Sequence, residues 1–369
     1  MSLPRFSGSF CGLNFRVWLV VCLTLLCVLS VYRYISDLNG RLDVLISSRV
    51  KLEKAVTKLQ LDSIDISRRH LSFADEQHYE RESDREDDMV LVYNRVPKTG
   101  STSFAGIAYE LCTENHFHVI HMNISRNQRT LGLSDQMRFI TNITGWDEKK
   151  PAIYHGHVAF IDFSRFGMQK LPIYINMVRE PLERLISYYY FVRYGDDFKP
   201  FLKRRKAGDH ESFDECVARD GEDCDPENLW VQIPYFCGHH ADCWEPGNQW
   251  ALEEAKRNVL HHYLVVGVTE ELRDFLAVLE ATLPRFFRGA TALYSEGHKS
   301  HLRKTAKKVP PKPQTIEKIQ ESTIWKMEND FYEFVLDHFH YIKHLTFEMQ
   351  DGEVVEKERK FQFEKIRPR

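Results

Sequence analysis

The chain has 369 residues and a net charge of −3, so it has room for one large domain or two small ones. It contains no internal repeat or low-complexity tract, which excludes a repeat architecture. The charge is uneven: Asp75–Asp88 holds eight acidic residues against two arginines. The rest of the chain is therefore mildly basic.

The N-terminal region predicts a membrane anchor. Val17–Tyr32 contains no charged residue, and we expect a transmembrane signal anchor over 17–35 after a tail at 1–16. A cleaved signal peptide is the alternative, but no small-residue cleavage site follows. Arg5 and Arg16 precede the span, which favours a cytoplasmic N-terminus and a lumenal bulk, as in a type II membrane protein.

A leucine recurs every seven residues after the anchor, at Leu38, Leu45, Leu52 and Leu59. This pattern predicts a coiled-coil stem over 36–66 and a homo-oligomer, a dimer or a trimer. A single amphipathic helix packed on the domain is the alternative. We interpret 67–88 as an acidic linker and 89–369 as the lumenal domain.

Short apolar runs alternate with helix-like segments beyond Met89, which predicts an α/β fold with a central parallel sheet flanked by helices. The predicted strands are Val90–Tyr93, His118–Ile120, Ala152–His157, Ile173–Val178 and Tyr263–Gly267. The predicted helices are Ser103–Cys112, Pro181–Arg193, Glu270–Leu283 and Ile316–His338.

Two kinds of residue support a lumenal address. Asn123 and Asn142 each begin an acceptor sequence for N-glycosylation. Four cysteines form two close pairs that suit disulfide loops in an oxidising compartment: Cys216, Cys224, Cys237 and Cys243. A zinc site that includes His239 and His240 is the alternative, although the cysteine spacings do not match zinc knuckles.

An anion-binding turn is predicted between the first strand and the first helix. Its residues are Lys98, Thr99, Gly100, Ser101, Thr102 and Ser103. Such a turn offers backbone N–H groups and a helix dipole to a phosphate. It resembles a P-loop but lacks the P-loop order, because Lys98 precedes Gly100.

A second phosphate-binding element is predicted at the start of another helix. Arg179 follows the strand Ile173–Val178, and Ser187 lies two turns into the helix that begins at Pro181. The two side chains could converge on one phosphate, with the arginine binding it bidentately.

The pair of motifs PKTGSTS and REPLERLISYYY resembles the sulfotransferases that use 3′-phosphoadenosine 5′-phosphosulfate. Further segments are similar to the Golgi uronyl 2-O-sulfotransferases, and in particular to the heparan sulfate 2-O-sulfotransferases. They are Tyr154–His157, the Cys216–Cys243 region, Phe286–Thr291 and Ser300–Thr305. The resemblance extends from about Met89 to His344 and implies a P-loop-like sulfotransferase fold in a Golgi type II membrane protein.

The resemblance implies roles for the donor-binding residues. Lys98 would contact the oxygen that bridges phosphate and sulfate, where a fixed cation lowers the barrier to group transfer. Arg179 and Ser187 would hold the 3′-phosphate. A loop that closes over the nucleotide would contribute Tyr294, Ser300, Arg303 and Thr305.

The resemblance also implies that His155 and His157 are catalytic. A sugar hydroxyl needs a base to remove its proton, and alternate residues of a strand share a face. We expect one histidine to be the base and the other to position the substrate, with the order left open.

The predicted contacts to a polyanionic acceptor are Arg95, Tyr109, His121, Arg126, Tyr188, Lys199 and Arg204. A lysine at position 199 stands where the family pattern has an arginine, and it cannot form the planar bidentate contact.

The interpretation is a sulfotransferase that acts on the 2-hydroxyl of iduronic acid, and less often of glucuronic acid, in heparan sulfate or heparin. We expect no metal requirement, and association with the uronyl C5-epimerase is left open. The alternatives are a chondroitin or dermatan uronyl 2-O-sulfotransferase, a catalytically silent glycosaminoglycan-binding protein, and a nucleotide kinase. A lumenal address excludes nucleic acid as the partner of the basic patch Lys203–Lys206.

Overall fold

The computed structural model describes residues 29–31, 33–34, 87–124, 128–197, 199, 201–296, 305–350 and 353–357. The chain divides into two compact units, Met1–Glu80 and Arg81–Arg369. The described residues of the first unit are helical. The rest of the predicted anchor, the whole predicted stem and most of the acidic linker lie outside the described residues. Within the described ranges, no helix combines the length and the apolar character needed to cross a bilayer.

The second unit is built on a parallel sheet flanked by helices, as predicted. The five strands are β1 (Val90–Asn94), β2 (His118–His121), β3 (Ala152–Gly156), β4 (Ile173–Val178) and β5 (Tyr263–Val268). Their order in the sheet is β2-β3-β1-β4-β5, and all neighbours are parallel. A separate antiparallel hairpin joins β6 (Phe347–Gln350) to β7 (Glu353–Glu356).

The helices of this unit are numbered here in chain order. They are α1 (Ser101–Leu111), α2 (Leu133–Gly145), α3 (Pro181–Tyr194), α4 (Phe213–Ala218), α5 (Gln232–Cys237), α6 (Gln249–His262), α7 (Leu272–Thr282), α8 (Pro284–Phe287), α9 (Ala290–Glu296), α10 (Pro313–Gln320) and α11 (Thr323–Thr346).

Aromatic packing fixes α1 on the sheet. The Phe104 ring lies 4.8 Å from Tyr93 of β1, 5.6 Å from Phe275 of α7 and 5.8 Å from Phe287 of α8. All four side chains are almost fully buried. Large aromatic side chains contribute much of the apolar area that a core removes from water. The start of α1, which carries the predicted anion-binding turn, is therefore attached to a rigid core.

A second buried cluster supports α3. Leu185 and Tyr189 of this helix pack with Phe213, and the disulfide Cys216–Cys224 lies in the same cluster. A second disulfide joins Cys237 to Cys243. These are the two pairs that the cysteine spacing predicts. The alternative zinc site is not formed, because the four sulfur atoms are bonded to one another.

Some element bounds differ from the predictions. The predicted helix Ile316–His338 is two helices, because the Ser322 hydroxyl accepts a hydrogen bond from the Trp325 N–H and begins α11 anew. β3 ends at Gly156, so His157 follows the strand instead of belonging to it. The helix predicted from Glu270 begins at Leu272 after a 3₁₀ turn.

Candidate active site

Three adjacent strands end in residues that the motifs predict to be functional. Arg95 follows β1, His157 follows β3 and Arg179 follows β4. The chain leaves β1 towards β2, returns through β3 and then crosses to β4, so the strand order reverses at β1. In open α/β sheets, ligands bind outside the carboxyl ends of the strands at such a reversal. The site is therefore expected at this edge.

The predicted anion-binding turn is tight. Lys98 and Gly100 both have left-handed backbones, with φ of 68° and 71°. This conformation is easy for glycine and uncommon for lysine. The Thr99 hydroxyl donates to the Val96 carbonyl at 3.1 Å and closes the turn. Gly100 caps α1 without a side chain, so the first N–H groups of the helix are available to an anion.

Hydroxyl groups from two distant segments lie next to Lys98. The Lys98 Nζ is 3.5 Å from Thr305 Oγ1, which is 3.2 Å from Ser187 Oγ. The same ammonium lies 4.0 Å from the centre of the Phe191 ring. A cation over an aromatic face is attracted by the electrons of the ring, which helps to fix the position of the Lys98 ammonium. Three predicted donor-binding residues are thus brought together.

Arg179 borders this cluster. Its Nη1 donates to the Lys98 carbonyl at 3.4 Å, and its Nη2 pairs with Glu183 at 3.2 Å. Glu183 also pairs with Lys308 on the segment that follows Thr305. At the base of α3, the Glu180 carboxylate accepts from the Leu182 and Glu183 N–H groups. Arg179 therefore precedes the capped start of α3, and Ser187 lies two turns into the same helix.

His155 is held on both ring nitrogens. Arg95 Nη1 donates to Nδ1 at 3.3 Å, and Nε2 lies 2.9 Å from the Tyr109 hydroxyl. The side chain is only 3% exposed. Because the guanidinium can only donate, we assign the proton of the neutral ring to Nε2. Both nitrogens are therefore occupied.

His157 is held on one ring nitrogen. Its Nδ1 lies 2.8 Å from the Arg95 carbonyl oxygen, which can only accept. We therefore assign the proton of the neutral ring to Nδ1, which leaves Nε2 as an acceptor. His157 is also less buried than His155. The two histidines thus have different bonding, although their spacing in the sequence is symmetrical about Gly156.

Burial sets the protonation of both rings. Burial and, as the second cause, the positive charge of Arg95 together lower the pKa of His155 to about 3 and the pKa of His157 to about 4. Burial also lowers the pKa of Arg95. The histidines are consequently neutral near pH 6, and His157 can accept a proton there.

Gly156 is required between the histidines. A Cβ at this position would lie 2.6 Å from the Met122 carbonyl oxygen and 2.8 Å from Met122 Cβ. The Met122 N–H in turn donates to the His155 carbonyl at 2.8 Å, so the two backbones are held together. The close approach leaves no space for a side chain.

Four of the predicted acceptor residues fall into two groups. Tyr109 and His121 lie beside His155: their rings are 5.5 Å and 5.1 Å from it, and both side chains are exposed. Lys199 and Arg204 lie on the loop after α3. Arg204 pairs with Asp196 at 3.1 Å, and its guanidinium lies over the Phe191 ring, 4.3 Å from the ring centre.

Other predicted residues are placed less directly. Tyr188 is half-buried on α3, and Tyr294 packs partly buried against the core. Thr102 accepts a hydrogen bond from Arg95 Nη2 at 3.0 Å. Asn123 and Asn142 are exposed. Arg126, Ser300 and Arg303 lie outside the described residues.

Three residues of the site were not predicted. Phe191 supports Lys98 and Arg204, Asp196 holds Arg204, and Gln232 bonds to the backbone of Arg179. Phe191 could have been found from its spacing, because it lies one helical turn beyond Ser187 on the same face. The sequence contains no local signal for the other two.

The chain matches known proteins over most of its length. The sequence model of the sulfotransferase family matches residues 81–335. Heparan sulfate 2-O-sulfotransferase 1 of Gallus gallus is 52% identical over 96% of this chain and 98% of that protein, and its Homo sapiens counterpart is 51% identical over the same shares. A heparin sulfate O-sulfotransferase of Drosophila melanogaster is 49% identical over 88% of this chain and 91% of that protein.

These matches agree with the geometry at the carboxyl edge of the sheet, where a cation, two hydroxyls and an arginine surround one place for an anionic donor. The kinase alternative has no support among these relatives. The chain belongs to the sulfotransferase family.

Proposed function

We propose that the enzyme transfers a sulfuryl group from 3′-phosphoadenosine 5′-phosphosulfate to the 2-hydroxyl of iduronic acid in heparan sulfate. The observation that carries this proposal is the convergence of Lys98, Ser187 and Thr305 beside Arg179. The similarity to heparan sulfate 2-O-sulfotransferases supports the acceptor.

In this proposal the donor lies across the ends of β1 and β4. The N–H groups at the start of α1 and the Lys98 ammonium bind the phosphosulfate. Arg179 and Ser187 bind the 3′-phosphate, and Tyr294, Ser300, Arg303 and Thr305 belong to the loop over the nucleotide. Glu183, which pairs with Arg179, would give way to the phosphate as the stronger partner of the guanidinium.

Arg95 fits an anionic reactant. The guanidinium is 8% exposed, and its terminal nitrogens bond to neutral groups of His155 and Thr102. Its Nε has no hydrogen-bond partner among the described residues. A buried cation that lacks a carboxylate is costly unless an anion binds near it. The sulfuryl group and the uronate carboxylate are two such anions.

We assign His157 as the general base. Its unprotonated Nε2 takes the proton of the 2-hydroxyl as the hydroxyl oxygen bonds to sulfur. The bond between sulfur and the bridging oxygen breaks, and adenosine 3′,5′-bisphosphate leaves with the electron pair. Lys98 stabilises the charge on the departing oxygen. His155, whose two nitrogens are already bonded, orients Arg95 and Tyr109.

We also propose a single-pass type II Golgi enzyme with a cytoplasmic tail at 1–16 and an anchor, stem and linker over 17–88. Its sheet domain is lumenal, and it assembles as a homo-oligomer. The two disulfides support an oxidising compartment, and the exposed Asn123 and Asn142 support glycosylation. Association with the epimerase that supplies iduronate stays a prediction.

The test uses the full chain in detergent with radiolabelled sulfate donor. We expect label on the 2-hydroxyl of iduronate in 2-O-desulfated heparan chains. Label on dermatan chains alone would overturn the acceptor assignment, and binding of heparan without label would support the silent glycan-binding alternative. Magnesium-dependent hydrolysis of ATP would instead support a nucleotide kinase.

A variant pair tests the mechanism. His157→Gln should bind donor and glycan but lose turnover, because an amide cannot take the proton. Lys170→Ala is the matched control, since Lys170 is 80% exposed and pairs only with Asp88 among the described residues. Unchanged turnover in His157→Gln would contradict the assignment of the base.

A further inference from the structure

Gln232 makes a two-point contact with the backbone of Arg179. The Arg179 N–H donates to Gln232 Oε1 at 2.8 Å, and Gln232 Nε2 donates to the Arg179 carbonyl at 2.9 Å. The two residues are 53 positions apart, and Gln232 is fully buried. One side-chain amide therefore bonds to both backbone polar groups of one residue, much as a neighbouring strand would.

Arg179 needs such a partner because it lies outside the sheet ladder. The pairing of β4 with β5 ends at Val178 and Val268, and the Thr269 hydroxyl donates to the Val178 carbonyl at 3.0 Å. Helix α3 begins at Pro181. Arg179 is thus in a two-residue link between strand and helix, and its backbone bonds determine the direction in which its guanidinium leaves the sheet.

Glu328 holds Gln232 from the other side. This fully buried carboxylate of α11 accepts from the N–H groups of Val231 at 2.9 Å, Gln232 at 3.3 Å and Ile233 at 3.1 Å. Arg184 donates to the Asn228 and Leu229 carbonyls just before this turn. The start of α5 is therefore fixed by two buried side chains, Glu328 and Arg184, and Gln232 has little freedom to move.

We propose that Gln232 is a positioning residue for the donor site: it fixes the Arg179 peptide and so directs the guanidinium to the 3′-phosphate. This inference rests on the proposed donor-binding role of Arg179. It predicts a specific loss, because only the part of nucleotide affinity that depends on the 3′-phosphate should fall when the contact is removed.

The experiment compares two nucleotides by calorimetry with the full chain. Adenosine 3′,5′-bisphosphate carries the 3′-phosphate, and adenosine 5′-monophosphate lacks it. In Gln232→Met, which keeps the length of the side chain and removes both hydrogen bonds, we expect the ratio of the two affinities to fall by about tenfold or more. Arg179→Ala should lower the same ratio at least as much.

Asn258→Leu is the matched control. The Asn258 amide is buried and donates to the Phe236 and Cys237 carbonyls at 2.9 and 3.2 Å, at the opposite end of α5. Removing it destabilises the same helix without touching Arg179, so the affinity ratio should stay unchanged.

Gln232→Asn serves as a milder variant if Gln232→Met does not fold. Its shorter amide can reach at most one backbone group, and it should give an intermediate ratio.

The double variant Arg179→Ala/Gln232→Met separates the explanations. If Gln232 acts through Arg179, the double variant has the ratio of Arg179→Ala alone. An additive fall, or an unchanged ratio in Gln232→Met beside a lowered one in Arg179→Ala, would overturn the positioning role. An unchanged ratio in Arg179→Ala would instead contradict the donor-site assignment on which the inference rests.

Discussion

The proposed donor edge, which is the carboxyl edge of the sheet with Lys98, Arg179 and Ser187, differs in its construction from the loop after α3. At the donor edge, Ser187 is 3% exposed and Arg179 is held by the buried Gln232. On the loop, Phe201 is fully exposed, and Arg204 contacts Asp196 and the Phe191 ring. A small donor of fixed shape requires preorganised contacts, whereas a long polyanion binds to an open surface. Variants at the donor edge should therefore change kcat, and variants on the loop should change KM.

The largest effect is expected from Lys98→Ala. Removing a cation from the departing oxygen should lower kcat by about 10²- to 10³-fold, since that is the usual cost of losing one such group. Steady-state turnover with saturating glycan measures this, with Lys170→Ala as the control. A change in KM alone would mean that the donor edge binds substrate without assisting the transfer.

Gly156→Ala should have the next largest effect. The added Cβ would overlap the Met122 backbone, and we expect a loss of about 2 to 3 kcal/mol in the free energy of unfolding together with lost activity. Gly106→Ala in the middle of α1 is the control, because a Cβ there meets no atom within 4 Å and alanine favours a helix. Chemical denaturation measures both, and equal stability of the two variants would contradict the tight fit between the histidines.

Arg204→Ala should have a moderate effect on glycan binding. Losing one charged contact to a polyanion should raise KM for heparan sulfate about tenfold and weaken its dependence on salt, while kcat changes little. Kinetics at two ionic strengths measure this. A comparable fall in kcat would show that the loop belongs to the preorganised half of the site.

The smallest expected effect is a shift in the pKa of His157 when the charge of Arg95 is removed. Its pKa of about 4 lies below the 6.5 of an unfolded chain, so the neutral ring is present above pH 6.5 and persists as pH falls towards 4. The stability linked to this histidine is present above pH 6.5 and is lost as pH falls through about 4. Imidazole NMR of the ligand-free protein should show a midpoint below about 5, and Arg95→Met should raise it. A wild-type midpoint near 6.5 would contradict the lowered pKa of His157.

The sequence was sufficient for the parts of the molecule that local patterns define. β4 has the predicted bounds Ile173–Val178, and the two motifs correctly place Lys98 and Arg179 after strands that are neighbours in the sheet. Parallel strands order their carboxyl ends along one edge, so motifs that follow them meet without further information.

The rest depends on contacts between distant segments. Nothing near Gln232 in the sequence indicates Arg179, because the pairing forms only when α5 packs beside the end of β4. Alternation along a strand predicted that His155 and His157 share one face, and it left open which is the base. β3 ends between them, and their different bonds to Arg95 distinguish the two rings. The break at Ser322 was missed because a serine within an amphipathic pattern has the same periodicity whether or not it caps a helix.

One backbone pairing connects the two halves of the site. Thr305 forms an antiparallel bridge with Asp196, and the Ala306 N–H donates to the Gly195 carbonyl at 3.1 Å. Thr305 contacts Lys98 on the proposed donor side, while Asp196 pairs with Arg204 on the proposed acceptor side. A nucleotide that stabilises this bridge would also stabilise the loop, so donor and glycan should bind with positive cooperativity. By thermodynamic reciprocity, the glycan would then raise the affinity for the nucleotide by the same factor.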